Sequence, residues 1–207
     1  GARQWERHST SPQSRAYYGV AGAEGSVYAV GANGTIGVST DFLIEKWRDD
    51  GTLLWSKVID HGSSIDVLRA VAVRDSRVFA VGYTQANSAG GKDVVVLSLD
   101  GESGTVLDFV QYGGVGDEFG YGAALEGNDL YVVGSTSSYG SGGHDLLLLR
   151  YAIPTLGTVE TPVFAPQSGA TFDESLMVTV TCATAGAEIR YTVDGGEPTS
   201  ASALYTG

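Results

Sequence analysis

Two kinds of apolar run alternate along the first three quarters of the chain, and both return at a long fixed interval. One begins with aspartate and continues as a mainly aliphatic run, with copies at Asp41–Trp47, Asp93–Leu99 and Asp145–Tyr151. The other ends on glycine, with copies at Val27–Gly31, Val78–Gly82 and Leu130–Gly134. Successive aspartates are 52 residues apart, and successive glycines are 51 and 52 residues apart. Aliphatic and aromatic runs at such a period predict a repeat protein built from β-strands.

Short strands separated by glycine-containing turns fill each repeat. In the first repeat we predict strands at Tyr17–Ala23, Ser26–Val30, Asp41–Arg48 and Leu53–Ile59. In the second repeat we predict Leu68–Val73, Arg77–Val81, Asp93–Leu99 and Thr105–Tyr112. The third repeat supplies Tyr121–Leu125, Asp129–Val133 and Asp145–Tyr151. It has no fourth strand, because Pro154 cannot donate a ladder hydrogen bond.

The missing fourth strand has a counterpart at the start of the chain. Gly1–His8 places Trp5 four residues after a glycine, as Gly51–Val58 places Trp55. We therefore expect a strand within residues 1–15 that closes the third repeat. Four strands at a period near fifty residues are typical of a β-propeller blade. The sequence thus predicts blades at about residues 16–63, 64–116 and 117–153.

The repeats resemble the SBBP β-propeller repeats of bacterial proteins. The resemblance is carried by Val27–Gly31, Asp41–Lys46, the turn Asp49–Gly51, Trp55 and the connection Gly113–Glu118. It implies a propeller from a secreted or cell-surface protein. Propellers close with about four to eight blades, whereas this chain predicts three. The chain could be a fragment of a longer ring, which we favour; it could share a ring with other chains; or its repeats could stack openly, with neighbours covering the exposed edges.

The period ends at the linker 154–161, and residues 162–207 form a second unit with alternating strands around Met177–Cys182 and Gly186–Thr192. This unit resembles the C-terminal domain of chitobiase and β-hexosaminidase. The matching positions are Cys182, Gly186-Ala187, Tyr191-Thr192, Asp194-Gly195 and Pro198-Thr199. The resemblance implies an immunoglobulin-like β-sandwich appended to a secreted bacterial protein. Because the family pattern continues beyond Gly207, we expect an incomplete module with an unpaired edge.

The predicted fold class is therefore all-β, with about three four-stranded propeller-type blades followed by an immunoglobulin-like module. The chain carries 12 basic and 24 acidic residues, a net charge of −12. This balance argues against nucleic acid and anionic membrane surfaces as partners. No apolar run has the length of a membrane span, so no membrane insertion is expected. The single cysteine, Cys182, cannot form a disulfide within the chain and is interpreted as a buried structural thiol.

No set of residues has the spacing of a catalytic or metal site. The histidines, in three different connections, are His8, His61 and His144. A metal site needs more ligands than one. Five acidic residues lie in glycine-rich turns, namely Asp49, Asp50, Asp117, Glu118 and Asp194. Such residues can bind calcium or form Asx turns that need no metal. We expect no cofactor, with calcium as the open alternative.

Aromatic side chains offer one route to ligand binding, since sugars stack on aromatic rings. The candidates are Trp5, Trp47, Trp55, Tyr121 and Tyr139. Most are expected to pack between blades. Tyr139, in the loop Ser137–Gly143, is the candidate glycan contact.

These observations predict a non-catalytic, secreted or cell-surface protein that serves interaction or structure, with a protein partner or self-association. The alternative is a carbohydrate-binding accessory region of a secreted glycoside hydrolase, suggested by the resemblance of residues 162–207. An enzyme is not expected, because no nucleophile or acid–base set converges in the sequence.

Overall fold

The computed structural model describes residues 2, 4–35, 38–62, 64–153, 160–166, 169, 171, 175–184, 187–199 and 202–206. The chain divides into two compact units, residues 1–154 and 155–207. All regular elements of the described residues are β-strands, and these residues contain no helix that could span a membrane. The all-β prediction is confirmed.

The first unit contains three antiparallel sheets, each a meander of consecutive strands. The first sheet consists of β1 Arg15–Ala23, β2 Ser26–Thr35, β3 Ser39–Arg48 and β4 Leu53–Ile59. The second consists of β5 Asp66–Arg74, β6 Arg77–Thr84, β7 Asp93–Asp100 and β8 Val106–Tyr112. The third consists of β9 Glu118–Glu126, β10 Asp129–Thr136 and β11 Asp145–Ala152. All eleven strands predicted for the three repeats are present, and none of the sheets is closed on itself within the described residues.

The first hairpin of each of the first two sheets turns on two residues with positive φ. Glu24 and Gly25 have φ of 52° and 71°, and Asp75 and Ser76 have φ of 50° and 56°. Two positive φ values in a two-residue loop give the twist that matches the right-handed twist of the flanking strands. The turns therefore help to fix the register of each hairpin.

A glycine recurs at one place in the second strand of every sheet because another strand passes too close for a side chain. At Gly31, Gly82 and Gly134 an added Cβ would lie 1.8, 1.9 and 1.9 Å from a carbonyl oxygen of the first strand. Beside this contact, the first strand of each sheet carries a β-bulge that leaves one residue unpaired. The recurring glycine is thus required by backbone geometry.

Two apolar cores hold the three sheets together. The first lies between the first and second sheets and includes Phe42, Ile44, Leu97 and Leu99. The second lies between the second and third sheets and includes Val94, Val96, Leu130 and Val132. The first strands of the sheets also lie side by side, with β5 packed against both β1 and β9.

The predicted N-terminal closing strand is not observed. Gly1 and Arg3 lie outside the described residues, and residues 4–14 form no strand. The Trp5 indole N–H instead donates to the Asp49 carbonyl at 2.7 Å, and Arg7 Nε donates to the Gly51 carbonyl at 2.9 Å. The segment therefore lies on the β3–β4 turn of the first sheet, and the prediction that it pairs with the third sheet is wrong.

The second unit is described only in part. Strand β12, Val163–Ala165, pairs with β13, Thr179–Thr181, and β14, Arg190–Tyr191, pairs with β15, Ala203–Leu204. Strands are thus present within both predicted segments, Met177–Cys182 and Gly186–Thr192. Gly186 of the family motif, Gly207 and residues 154–159 of the predicted linker lie outside the described residues.

Candidate interaction surface

The three sheets of the first unit present equivalent faces, which the strand registers identify position by position. We define the forward face of a sheet as two residues of its second strand and two of its third. In the first sheet these are Tyr28, Val30, Phe42 and Ile44, and in the second Phe79, Val81, Val94 and Val96. In the third sheet they are Tyr131, Val133, Leu146 and Leu148.

The forward faces of the first two sheets are buried, each against the following sheet. All eight of their side chains are at most 6% exposed. The forward face of the third sheet is open: Leu146 is 97% exposed, Leu148 68% and Val133 51%. The residues of this face are mainly apolar, as in the first two sheets, although no part of the described first unit covers the face. Exposed apolar patches of this kind are typical of surfaces that bind another molecule.

The same sheet has an open edge. In the first two sheets the third strand pairs with a fourth, since β3 pairs with β4 and β7 with β8. In the third sheet β11 pairs with β10, and no strand of the described residues pairs with its other side. The apolar face and the unpaired edge are therefore adjacent on β11.

The predicted aromatic candidates lie in separate places. Trp55 packs between the first two sheets, with its ring 6.0 Å from that of Tyr28 and its indole N–H 3.2 Å from the Gly101 carbonyl. Tyr121 stacks parallel to Phe119 with 5.8 Å between ring centres. The expectation that most of these aromatic residues pack between sheets holds for Trp55, whereas Trp5 lies on a turn.

Tyr139, the candidate glycan contact, is 47% exposed. Its hydroxyl donates to the Gly113 carbonyl at 3.2 Å, and its ring lies 5.9 Å from that of Tyr112. One face of the ring is therefore supported by the protein, and its hydroxyl is engaged. Sugar binding at Tyr139 stays a prediction.

The histidines do not come together. The His61 ring stacks on Phe109 with 4.3 Å between centres, while His8 lies on the N-terminal segment and His144 near Phe119. Among the described residues no three histidine, cysteine or acidic side chains are grouped to hold a metal ion. Cys182 is half-buried, and its thiol donates to the Glu160 carbonyl at 3.1 Å. The prediction that this thiol is buried is therefore wrong.

Four of the five acidic turn residues accept hydrogen bonds from protein N–H groups. Asp50 and Asp194 accept the N–H of Thr52 and Gly196, two residues on, at 2.8 and 3.0 Å, which is the Asx-turn arrangement. Asp117 accepts the Lys92 N–H at 2.8 Å. The Asx-turn interpretation is confirmed for Asp50 and Asp194.

Glu118 is fully buried at the start of β9. It accepts hydrogen bonds from the Thr136 hydroxyl at 2.7 Å and from the N–H groups of Gly114 and Ser138 at 2.7 and 3.1 Å. Burial alone would raise the pKa of Glu118, but these hydrogen bonds outweigh it and hold the pKa below the ordinary value. The carboxylate thus ties the connection before β9 to the end of β10.

Sequence reasoning missed Glu45, which is 3% exposed and directly follows the apolar residues 42–44 of β3. Its carboxylate accepts hydrogen bonds from Arg15 at 3.1 Å, from Ser56 at 2.7 Å and from the Tyr17 hydroxyl. The equivalent residues of the other repeats are Leu97 and Leu149. An alignment of the three copies would have revealed this polar exception.

Comparison with known proteins gives one family match. Residues 166–207 match the family model of the chitobiase/β-hexosaminidase C-terminal domain, which supports the resemblance seen in the second unit. A search of curated proteins finds no significant match.

Proposed function

We propose that this chain is a non-catalytic interaction or structural protein of the bacterial cell exterior. In this proposal its first unit is a segment of an SBBP-type β-propeller, which associates with a second copy through the forward face of the third sheet. The carrying observation is the contrast between Val94 and Val96, which are buried in the second sheet, and Leu146 and Leu148, which are exposed at the same register positions.

Three features support the propeller part of the proposal. Each sheet is a meander of consecutive strands, each has its bulge beside the recurring glycine, and the first strands of the sheets lie side by side. Repeated meanders arranged around their first strands are typical of propeller blades. The motif resemblance to SBBP repeats and the secreted setting that it implies belong to the same proposal.

The exposed leucines supply the driving force for association. Burying one leucine side chain contributes about 1.5–3 kcal/mol relative to leaving it in water. The first and second sheets already bury the same positions against a neighbouring sheet. An apolar sheet face is therefore the surface that fits the forward face of the third sheet.

A second copy can supply that surface through its own forward face. The outer face of the first sheet is less suited, because the N-terminal residues already contact it. Gln13 accepts a hydrogen bond from Asn33 at 2.8 Å, and residues 7–11 lie beside Glu45 and Trp47. Contact between two forward faces buries both apolar patches and closes the assembly with two-fold symmetry.

The test is the mass of the full chain in solution by light scattering after size exclusion. We expect a dimer, and a monomer when Leu146→Glu and Leu148→Glu are combined. Leu107→Glu is the matched control, because Leu107 is 50% exposed on β8 and lies off the forward face. A wild-type monomer at high concentration would overturn self-association, and open-ended oligomers would overturn the two-fold arrangement.

The family match at residues 166–207 favours a second candidate, a carbohydrate-binding accessory region of a secreted glycoside hydrolase. Tyr139, half-exposed and supported by Tyr112, is its sequence-predicted contact. A glycan array on the full chain tests it: a signal that falls with Tyr139→Ala supports the candidate, and an empty array removes it.

A further inference from the structure

A cavity of about 600 Å³ lies on the side of the first sheet opposite its forward face. Its walls come from the N-terminal residues 7–11, from Arg15 and Tyr17 on β1, from Glu45 and Trp47 on β3, and from Leu53 on β4. Cavities of roughly 300–1,000 Å³ are the usual size of small-molecule sites. Neither the family match nor the association proposed above involves this cavity.

Three core positions of the repeat that line the cavity hold different residues from their equivalents in the second sheet. In the second sheet the equivalent positions are fully buried leucines, namely Leu68, Leu97 and Leu99. In the first sheet the same positions hold Tyr17, Glu45 and Trp47. Two aromatic rings and a carboxylate thus replace an aliphatic surface.

The polar groups at the base of the cavity are held in place. Arg15 donates through Nε to Asn33 at 2.8 Å and through Nη1 to Glu45 at 3.1 Å, and Ser56 donates to Glu45 at 2.7 Å. Tyr17 donates to the same carboxylate, and burial together with Glu45 holds the pKa of Tyr17 well above its ordinary value. The base is therefore a fixed network with a protonated tyrosine.

The entrance of the cavity adds a second guanidinium. The Arg7 guanidinium donates hydrogen bonds to the backbone carbonyls of Gly51 and Glu6, each at 2.9 Å. Neither of these two acceptors is a carboxylate. Residues 9–11 contribute three hydroxyl side chains to the wall. The arginines outnumber the acidic residues of the lining, in a chain whose net charge is −12.

We propose that this cavity binds an acidic sugar, of the uronic acid class. The half-exposed ring of Tyr17 and the partly buried ring of Trp47 provide stacking surfaces for a pyranose ring. The guanidinium of Arg7, held only by backbone carbonyls in the two contacts above, pairs with the sugar carboxylate. Arg15, already bonded to Asn33 and Glu45, adds positive charge at the base of the cavity. The hydroxyl groups of residues 9–11 hydrogen-bond to the ring hydroxyls.

This inference is independent of the dimer and extends the carbohydrate-binding candidate by naming a sugar class and a site other than Tyr139. Titration calorimetry on the full chain with digalacturonic acid is the test, with digalactose and inorganic phosphate as comparators. We expect binding of digalacturonic acid alone. Equal binding of digalactose would overturn the role of the arginines, equal binding of phosphate would overturn sugar recognition, and no binding would overturn the site.

Two variants locate the binding. Trp47→Leu restores the leucine that the second repeat carries at this position, so it removes the stacking ring with a residue that the repeat accommodates. Arg7→Gln removes the charge at the entrance. Each is expected to weaken binding about tenfold or more, the equivalent of one lost charged or stacking contact.

Arg48→Gln is the matched control, because Arg48 lies on the same strand as Trp47, is about half exposed and is outside the lining. Affinity that is unchanged in both cavity variants, or reduced equally by the control, would overturn the assignment. Loss with Tyr139→Ala alone would support the carbohydrate-binding candidate and overturn this site. Circular dichroism confirms that each variant is folded.

Discussion

The guanidinium of Arg69 lies 4.6 Å from the ring centre of Tyr18, and each of these residues occupies the bulge in the first strand of its sheet. The unpaired position of one sheet thus contacts the unpaired position of the next. Arg69 also lies 5.7 Å from the ring centre of Tyr83. The bulges therefore connect the first two sheets beside their first strands.

Replacing Arg69 with methionine keeps an extended side chain and removes the charge. Because a cation over an aromatic ring contributes roughly 0.5–2 kcal/mol, we expect Arg69→Met to lower the free energy of unfolding by about 1 kcal/mol in urea titration. Arg74→Met on the same strand is the control, since the ion pair of Arg74 is with the neighbouring, exposed Asp75. Equal losses in the two variants would contradict the proposed role of the ring contact.

The recurring glycine gives a sharper prediction. In Gly82→Ala the new Cβ would meet the Val67 carbonyl at 1.9 Å, so the first two strands of the second sheet must separate. We expect a loss of about 4 kcal/mol or more in unfolding free energy. Gly22→Ala is the control, because its Cβ would meet no atom closer than 3.9 Å. A fully stable Gly82→Ala would show that the register of β5 and β6 is wrong.

Glu118 predicts an acid-dependent loss of stability. Its pKa is lower in the folded protein than in the unfolded chain, so its stabilisation is present above the unfolded value, about 4.3, and is lost as pH falls through the folded value. Glu118→Gln should cost about 1–3 kcal/mol at pH 7, because an amide cannot accept all three hydrogen bonds.

The unfolding free energies of wild type and Glu118→Gln should converge as pH falls through the folded pKa of Glu118. Glu126→Gln provides the control, since Glu126 is exposed at the end of the same strand. A difference that does not change with pH would show that the effect comes from shape and not from charge.

For Asp93 we expect the opposite dependence of stability on pH. Burial raises the pKa of Asp93 and the negative charge of Glu118 raises it further, although a hydrogen bond from Gln111 opposes them. Ionising this group therefore costs folding free energy, and the cost grows as pH rises from about 3.9 through the folded pKa. Asp93→Asn should be more stable than wild type at pH 7, by roughly 1 kcal/mol, and equal to it near pH 3.

Thermal unfolding at several pH values measures this difference. Asp108→Asn, a change at an exposed aspartate of the neighbouring strand β8, should leave the melting temperature unchanged at every pH. An Asp93→Asn protein that is less stable than wild type at pH 7 would contradict the cause assigned to the shift.

The strands could be predicted from the sequence because their information is local. Alternation within runs such as Val78–Gly82, and turns such as Glu24-Gly25, specify hairpins without reference to the rest of the chain. The prediction of an N-terminal closing strand was wrong because it also relied on local pattern alone. Trp5 follows a glycine at the same spacing as Trp55, but its indole N–H donates to the Asp49 carbonyl. Similarity of pattern does not determine which sheet edge a segment pairs with.

The candidate surface could not be predicted from its own sequence. Leu146 and Val94 satisfy the same pattern, and only the presence of the next sheet makes one exposed and the other buried. Glu45 is acidic where the other two repeats have leucine, so an alignment of the repeats could have identified it. The cavity beside Glu45 also depends on residues 7–11, and their position does not follow from the repeat pattern. Local pattern thus determines the sheets, and their environment determines the site.

The strands of each meander form almost all their backbone hydrogen bonds with strands of the same repeat, within about fifty consecutive residues. Few backbone hydrogen bonds connect adjacent repeats; one runs from the Thr40 N–H to the Ser64 carbonyl at 3.0 Å. The stack should therefore open from an end, one sheet at a time. In the monomeric variant with Leu146→Glu and Leu148→Glu, the forward face of β11 is uncovered and no strand of the described residues pairs with its outer edge. Its amides should therefore exchange with deuterium first, while those of β6 and β7 should be retained longest. A protease acting on the native protein would accordingly leave a core of the middle repeat.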